Sequence, residues 1–413
     1  MPQVAALLYC AAVPFDAFTV IAGRTLPSLV GAVFLVTWMA SLTRRTAPLR
    51  FPRVLVVSAV ALLAWAITTL LWAPPEVRLI GVASMAYSIV LMALLVDTMK
   101  ERLRSALLAY IAGACVLATW LVVSPTQRYS GRYSVGGADE NETAFQFAIA
   151  IGAVVWLYLN AQVRSSLLLG SGLLLGFGVI LTGSRTGFVA MAAIVCAGLA
   201  HGALSRRGAS LRMVLLVAMG LIAVAVAAAL NVIPLRVLEL LEGETSLRDS
   251  SRAQIAELYL KTVDHWWFFG VGYGSDAVYL EATEGVVLNA HGLFFKGWVE
   301  QGAVGLLLIV ALLLSALVTA RVNDGAVGYL ILAVPVLIFG ITLAGLGFAG
   351  FWFVLALSAL TSGGGPPGRG GGAAAPVDGR PDDVTRSLPP TPRTGAAESD
   401  GSGGTIRGRR GVS

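Results

Sequence analysis

The chain is poorly equipped for most kinds of chemistry. Only 13% of its 413 residues are charged, and it holds three histidines, three cysteines and three lysines. Cys10, Cys115 and Cys196 all fall inside apolar runs, so they read as small apolar fillers. Three scattered cysteines make no disulfide framework, and no His/Cys/carboxylate spacing for zinc accompanies them. No metal and no cofactor is therefore expected. A Walker-type glycine loop is absent. Gly270-Val271-Gly272-Tyr273-Gly274 lacks the βαβ surroundings of a dinucleotide fingerprint. The net charge of +6 comes almost wholly from arginine in an Ala-, Val- and Gly-heavy chain, and it argues for no nucleic-acid partner. The first apolar run has no basic segment before it, so it reads as a span and not as a cleavable signal peptide.

Apolar sequence is what the chain has in abundance, at 57% of its residues. A bilayer core is crossed by roughly 20 apolar residues in a helix. About twelve such runs are present: 4–22, 26–42, 54–72, 79–97, 105–123, 143–161, 165–182, 186–204, 212–232, 302–320, 325–344 and 346–361. The expected fold is an all-α integral membrane protein with about 12 transmembrane helices. Basic residues set its orientation, because short cytoplasmic loops collect Lys and Arg. Arg44, Arg45, Arg50 and Arg53 follow the second run, and Lys100, Arg102 and Arg104 follow the fourth. Arg164, then Arg206 and Arg207, then Arg321 follow later even-numbered runs. Both termini are then cytoplasmic, and the odd loops face outward from a cytoplasmic (inner) membrane.

The same assignment leaves one long outer-face loop, 233–301, and this loop contains an amphipathic helix. Between Ile233 and Ala290 it has nine acidic and four basic residues, so it is no generic basic patch for anionic lipid. Residues 1–124 form an N-terminal group of five helices, and residues 125–361 hold the outer loop and the polar motifs. Gly, Pro, Ser and Arg dominate residues 362–413, which lack the large apolar residues needed for a core. A disordered cytoplasmic tail is expected there.

Polar residues in such a chain carry information by their rarity. Ser251 followed by Gln254 fits a capping box. Ile255, Leu258, Tyr259, Thr262, Val263 and Trp266 recur at helical spacing, predicting one continuous amphipathic helix from Arg252 into the aromatic turn. Arg252 in its first turn either joins the free N–H groups in an anion site or pairs with Asp249 or Glu257. Arg185, in Thr-Gly-Ser-Arg-Thr-Gly, also opens a helix, with Ser184 as its cap; it either binds an anion or snorkels to a headgroup. Arg132 and Asn141 lie in a Gly-rich stretch leading into the sixth run. Asn141-Glu142-Thr143 matches a glycosylation sequon too close to a span to be used. His265 is expected to pack against Trp266 and Trp267. His291 falls where the outer loop re-enters the membrane, placed to take a proton from a hydroxyl. Glu300-x-Gly302-x-x-Gly305 opens the next span. Asp16, inside the first run, is the one informative charge away from the outer face.

Taken together, these residues resemble the O-antigen ligase and O-antigen polymerase superfamily of multi-span glycosyltransferases. The matching elements are Ser184-Arg185-Thr186-Gly187, the Arg252-led helix, Phe269-Gly270-Val271-Gly272-Tyr273-Gly274, His291-Gly292, and Glu300-Gln301-Gly302-Ala303-Val304-Gly305, in that order across about 125–310. Gly292 departs from the family's Asn, and Trp266 stands near a common proline. The resemblance implies a polyprenyl-diphosphate-linked glycan donor, a glycan or lipid acceptor, and contact with membrane lipids. It implies metal-independent transfer at the outer face, with His291 as base and Arg132, Arg185 and Arg252 gripping the diphosphate. Asn141, Gly270, Gly272 and Glu300 are supporting residues. A transporter or flippase for lipid-linked glycan is the alternative, and such proteins place ionisable residues near the bilayer midplane.

Overall fold

The computed structural model describes residues 1–204, 251–322, 326–343 and 346–360, with short gaps at 22, 45–47, 50, 75–78, 130–131, 137 and 161–164. The apolar run 212–232, the first part of the outer loop up to 250 and the tail from 361 lie outside the described residues.

Every other apolar run contains a helix, the structure that satisfies the backbone where no water does. In chain order these helices are α1 (Pro2–Ala12), α2 (Leu26–Leu42), α3 (Arg53–Thr69), α4 (Ile80–Met99), α5 (Leu103–Val123), α6 (Glu140–Leu159), α7 (Ser165–Thr182) and α8 (Arg185–Leu204). The insert supplies α9 (Ser251–Lys261), α10 (Val263–Trp266) and α11 (Asp276–Glu284), and the chain continues through α12 (Leu293–Val322), α13 (Ala326–Gly340) and α14 (Ala349–Leu357). Two short antiparallel hairpins bridge helix ends: Thr19–Ile21 with Arg24–Thr25, and Thr126–Tyr129 with Arg132–Ser134.

Among the described residues, four helices are long and apolar enough to cross a membrane by length and composition: Ile80–Met99, Leu103–Val123, Glu140–Leu159 and Leu293–Ala320. The other apolar helices range from α8 and α7, of 20 and 18 residues, down to shorter ones. The α14 helix has nine residues, about 14 Å at 1.5 Å per residue against a hydrocarbon core of about 30 Å. The protein is thus an all-α membrane protein, with four helices of full spanning length among the described residues. The runs overstate the helices because their ends turn. Helix α1 passes into a 3-10 turn, Val13–Phe15, leaving Asp16 beyond the helical segment. Asp16 Oδ2 there accepts from the Ala349 N–H at 2.6 Å, so it joins the start of α14.

Helix α6 is the centre, buried along almost its whole length and packed against α5, α7, α8 and α13. Helix α12 runs along α3, and α1 lies against α2 and α5.

One element differs from expectation. The amphipathic helix is not continuous: it stops at Lys261 and restarts at Val263. Thr262 Oγ1 donates back to the Tyr259 carbonyl at 3.1 Å, a local bond that competes with the helix ladder. The Glu300–Gly305 motif straddles a non-helical break at Gly302 (φ 66°), where two helical stretches of α12 meet, so the long apolar stretch starts within the motif.

Candidate functional site

One end of the bundle gathers the polar motifs into two clusters. The first forms where the Arg132 hairpin meets the starts of α6 and α8. Asp139 caps α6, its Oδ1 accepting from the N–H groups of Asn141 at 2.7 Å and Glu142 at 3.3 Å. Asn141 is thereby fixed in the first turn. Its Oδ1 accepts from Arg132 Nη2 at 3.2 Å and from Ser184 Oγ at 2.9 Å. The Ser184 oxygen accepts in turn from the Gly187 N–H at 3.2 Å, the expected helix cap. Arg132 also reaches buried Glu140 at 3.7 Å and the Thr182 carbonyl at 3.5 Å. One amide therefore joins three separate segments and ties the Arg132 hairpin to the start of α8, whose first residue is the half-buried Arg185. Asn141 is held as an internal connector, which takes it out of the role of a glycosylation site.

The second cluster joins the aromatic turn to the break in α12. The Val271 and Gly272 N–H groups donate to the Val299 and Glu300 carbonyls, each at 2.9 Å, and the Ala303 N–H donates to the Trp267 carbonyl at 2.9 Å. The two backbones touch. A Cβ at Gly270 would meet the Glu300 carbonyl, and a Cβ at Gly302 would meet that of Phe268. Both residues have positive φ, at 79° and 66°, so each is glycine for two independent reasons. Helix α3 fastens the junction: Trp65 Nε1 donates to the Gln301 carbonyl at 2.9 Å and Trp72 Nε1 to that of Gly270 at 3.1 Å. Thr69 Oγ1 accepts from the Tyr273 N–H at 3.0 Å.

Beneath this junction lies a charged group that the motifs do not mark. Lys296 Nζ sits 2.7 Å from Asp276 Oδ2 and 2.9 Å from Glu300 Oε1. Both carboxylate side chains are at most 3% exposed. The same Asp276 oxygen accepts from the Ala290 N–H at 2.7 Å, pinning the residue before His291. Tyr259 donates to the Asp276 and Leu288 carbonyls, each at 2.9 Å. Burial, with the nearby Asp276 and Glu300 charges adding to it, pushes the Tyr259 phenol far above its ordinary pKa, so it stays a donor. The signal for this group was the scarcity of lysine and the four-residue spacing of Lys296 and Glu300, a neighbour spacing on a helix.

His291 itself is exposed at the mouth of this cluster. Gly292 after it has φ 88° and faces the Ile341 carbonyl so closely that no Cβ fits. That accounts for glycine where the family has Asn. The two clusters share one end of the bundle through packed side chains: Phe145 of α6 lies 5.3 Å from Phe339 of α13, and Phe294 of α12 rests at neighbouring Gly340. Arg252 stands in the first turn of α9, but its side chain lies outside the described residues. His265 is exposed, and Trp266 is the ring that turns inward, to 1% exposure.

The sequence model of the O-antigen ligase family matches residues 170–310, a stretch that starts in α7 and ends in α12 and includes Ser184-Arg185, the aromatic turn, His291 and Glu300. No curated protein matches the chain. The match supports a likeness of this region to the O-antigen ligase and polymerase superfamily.

Proposed function

We propose that the protein transfers a glycan from a polyprenyl diphosphate to a glycan or lipid acceptor at the outer face of the cytoplasmic membrane. Residues 1–124 serve as the N-terminal helical part, 125–361 as the catalytic region and 362–413 as a cytoplasmic tail. The observation that carries the reading is the Arg132–Asn141–Ser184 junction, which sets two arginines at one end of the bundle in a chain that resembles a family of lipid-glycan enzymes. Breaking the anomeric bond puts negative charge on a diphosphate leaving group. Fixed guanidinium groups stabilise that charge. Arg185 and Arg252, each in the first turn of a helix, add backbone N–H groups to the same task. His291 takes the proton of the attacking sugar hydroxyl. The transporter alternative would use an ionisable group near the bilayer midplane; Asp16, the charge that suggested it, lies past the end of α1 and accepts from the Ala349 N–H.

Lysine keeps the charge of arginine but loses its planar two-pronged contact. Arg185→Lys and Arg252→Lys are each expected to cut glycan transfer at least about tenfold, the loss of one charge-assisted hydrogen bond, at normal protein level. Near-wild-type transfer by both variants would remove the diphosphate clamp. Sidedness has its own check in a cysteine-free background. A cysteine replacing Thr283, exposed on α11, should react with an impermeant thiol reagent on intact cells, and one replacing Ser387 should not. The reverse labelling pattern rejects the orientation.

A further inference from the structure

A cavity of about 380 Å³ opens among the N-terminal helices, in a part of the chain to which the family match assigns nothing. Its volume falls in the ~300–1,000 Å³ range of small-molecule sites. Asp16, Arg24, Thr25, Ser84, Ser88 and Phe348 are among its walls. It lies at the same end of the bundle as both polar clusters. Tyr273 of the aromatic turn packs at Gly81, which lines the cavity. Phe18, two residues from Asp16, packs at Gly136, just after the Arg132 hairpin. The cavity is thus placed between the Arg132–Asn141–Ser184 cluster and the Gly270–Tyr273 turn.

The lining has a definite chemical character. The lining holds one carboxyl and one guanidinium, and the remaining polar groups are hydroxyls, each able to donate and accept. Several are already pre-set: Tyr87 donates to the Ser28 carbonyl at 2.7 Å, Thr25 and Ser28 share a hydrogen bond of 2.9 Å, and Asp16 is fixed by the Ala349 N–H. A diphosphate is held best by several cations, and this wall offers a single guanidinium beside a carboxyl. An uncharged ligand carrying many hydroxyls matches it, with the Phe348 ring available as an apolar face.

We propose that this cavity binds a neutral, polyhydroxylated sugar residue of the acceptor glycan, beside the site where the donor diphosphate is held. The proposal rests on the transferase reading above, and it divides the end of the bundle into a charged donor side and a hydroxyl-rich acceptor side. Ser84 is exposed on α4 at the cavity wall, so a larger side chain there fills the space without disturbing the core.

The test uses the full chain in detergent, with the glycan repeat unit released from its lipid by mild acid and tagged with a photoreactive group. Wild-type protein should crosslink within residues 16–28 or 80–91. Ser84→Trp should weaken binding about tenfold or more, and Asp16→Asn should weaken it similarly, as expected for lost hydrogen bonds to a sugar; Ser84→Ala should bind as wild type does. In the transfer assay, Ser84→Trp should raise the acceptor KM and leave the donor KM alone. Absent binding by wild type, crosslinks confined to other segments, or equal binding by Ser84→Trp would each overturn the proposal. A rise in donor KM instead would assign the cavity to the donor glycan, and displacement of the sugar by phosphatidylethanolamine vesicles would assign it to a lipid headgroup; either result rejects it. If wild type binds the released sugar here but transfers nothing from a polyprenyl-diphosphate donor, the transferase reading fails while the sugar site stands.

Discussion

Replacing His291 by alanine is expected to slow glycan transfer by about 10²–10⁴-fold, the usual cost of removing a positioned general base. Donor binding should persist, because the diphosphate is assigned to the arginines. The structure makes the experiment clean. The His291 side chain is exposed, so its truncation opens no cavity in the core. The backbone on either side is held by other groups: the Ala290 N–H by Asp276 at 2.7 Å, and the Gly292 carbonyl by the Lys296 N–H at 2.8 Å. Loss of transfer at unchanged thermal stability would therefore report chemistry. Single-turnover measurement with excess enzyme separates a slow chemical step from weak binding. Wild-type turnover by His291→Ala would reject the base. The exposed His265 is the matched control: His265→Ala should change neither rate nor stability.

Hydropathy made the helices legible because an apolar run in lipid has one way to satisfy its backbone. Runs such as 26–42 and 165–182 coincide with α2 and α7 to the residue. Helix ends were less legible. Pro14 and Asp16 end the first helix early, and an apolar count cannot see that. The first cluster was half visible: Arg132, Asn141 and Ser184-Arg185 stood out as motifs, yet their meeting at one amide oxygen is a tertiary fact. The glycines at 270 and 302 were visible as a pattern, and only the close backbone approach explains them. Thr262 looked like another position on the apolar face, whereas its hydroxyl ends the helix there. The cavity of Asp16 and Arg24 was illegible, since its lining comes from three distant segments with no shared spacing.

Removing the charge of Lys296 is expected to have the largest effect on stability. Asp276 and Glu300 lie within 2.9 Å of its ammonium group, and their side chains are 2% and 3% exposed. Lys296→Met would leave two neighbouring carboxylates in a site with little water. Breaking a buried ion pair from one side typically costs about 3–5 kcal/mol, because the remaining charge loses its compensation. Lys296 is itself 23% exposed, so partial solvation pulls the expected loss toward the lower end, about 3 kcal/mol. The loss should be local in its consequences. Asp276 anchors Ala290 and Glu300 belongs to the break in α12, so the segment from α11 to Gly302 should become sensitive to protease while α6 and its neighbours hold. Transfer should fall with it, because His291 is carried on that segment. The triple variant Lys296→Met, Asp276→Asn, Glu300→Gln keeps the shape and removes all three charges, so it should regain most of the lost stability. Thermal unfolding and limited proteolysis in detergent read both outcomes. If Lys296→Met unfolds at the wild-type temperature, the triad does not hold the loop to the span. If the single variant is destabilised and the triple is equally so, geometry and not charge compensation is what Lys296 supplies.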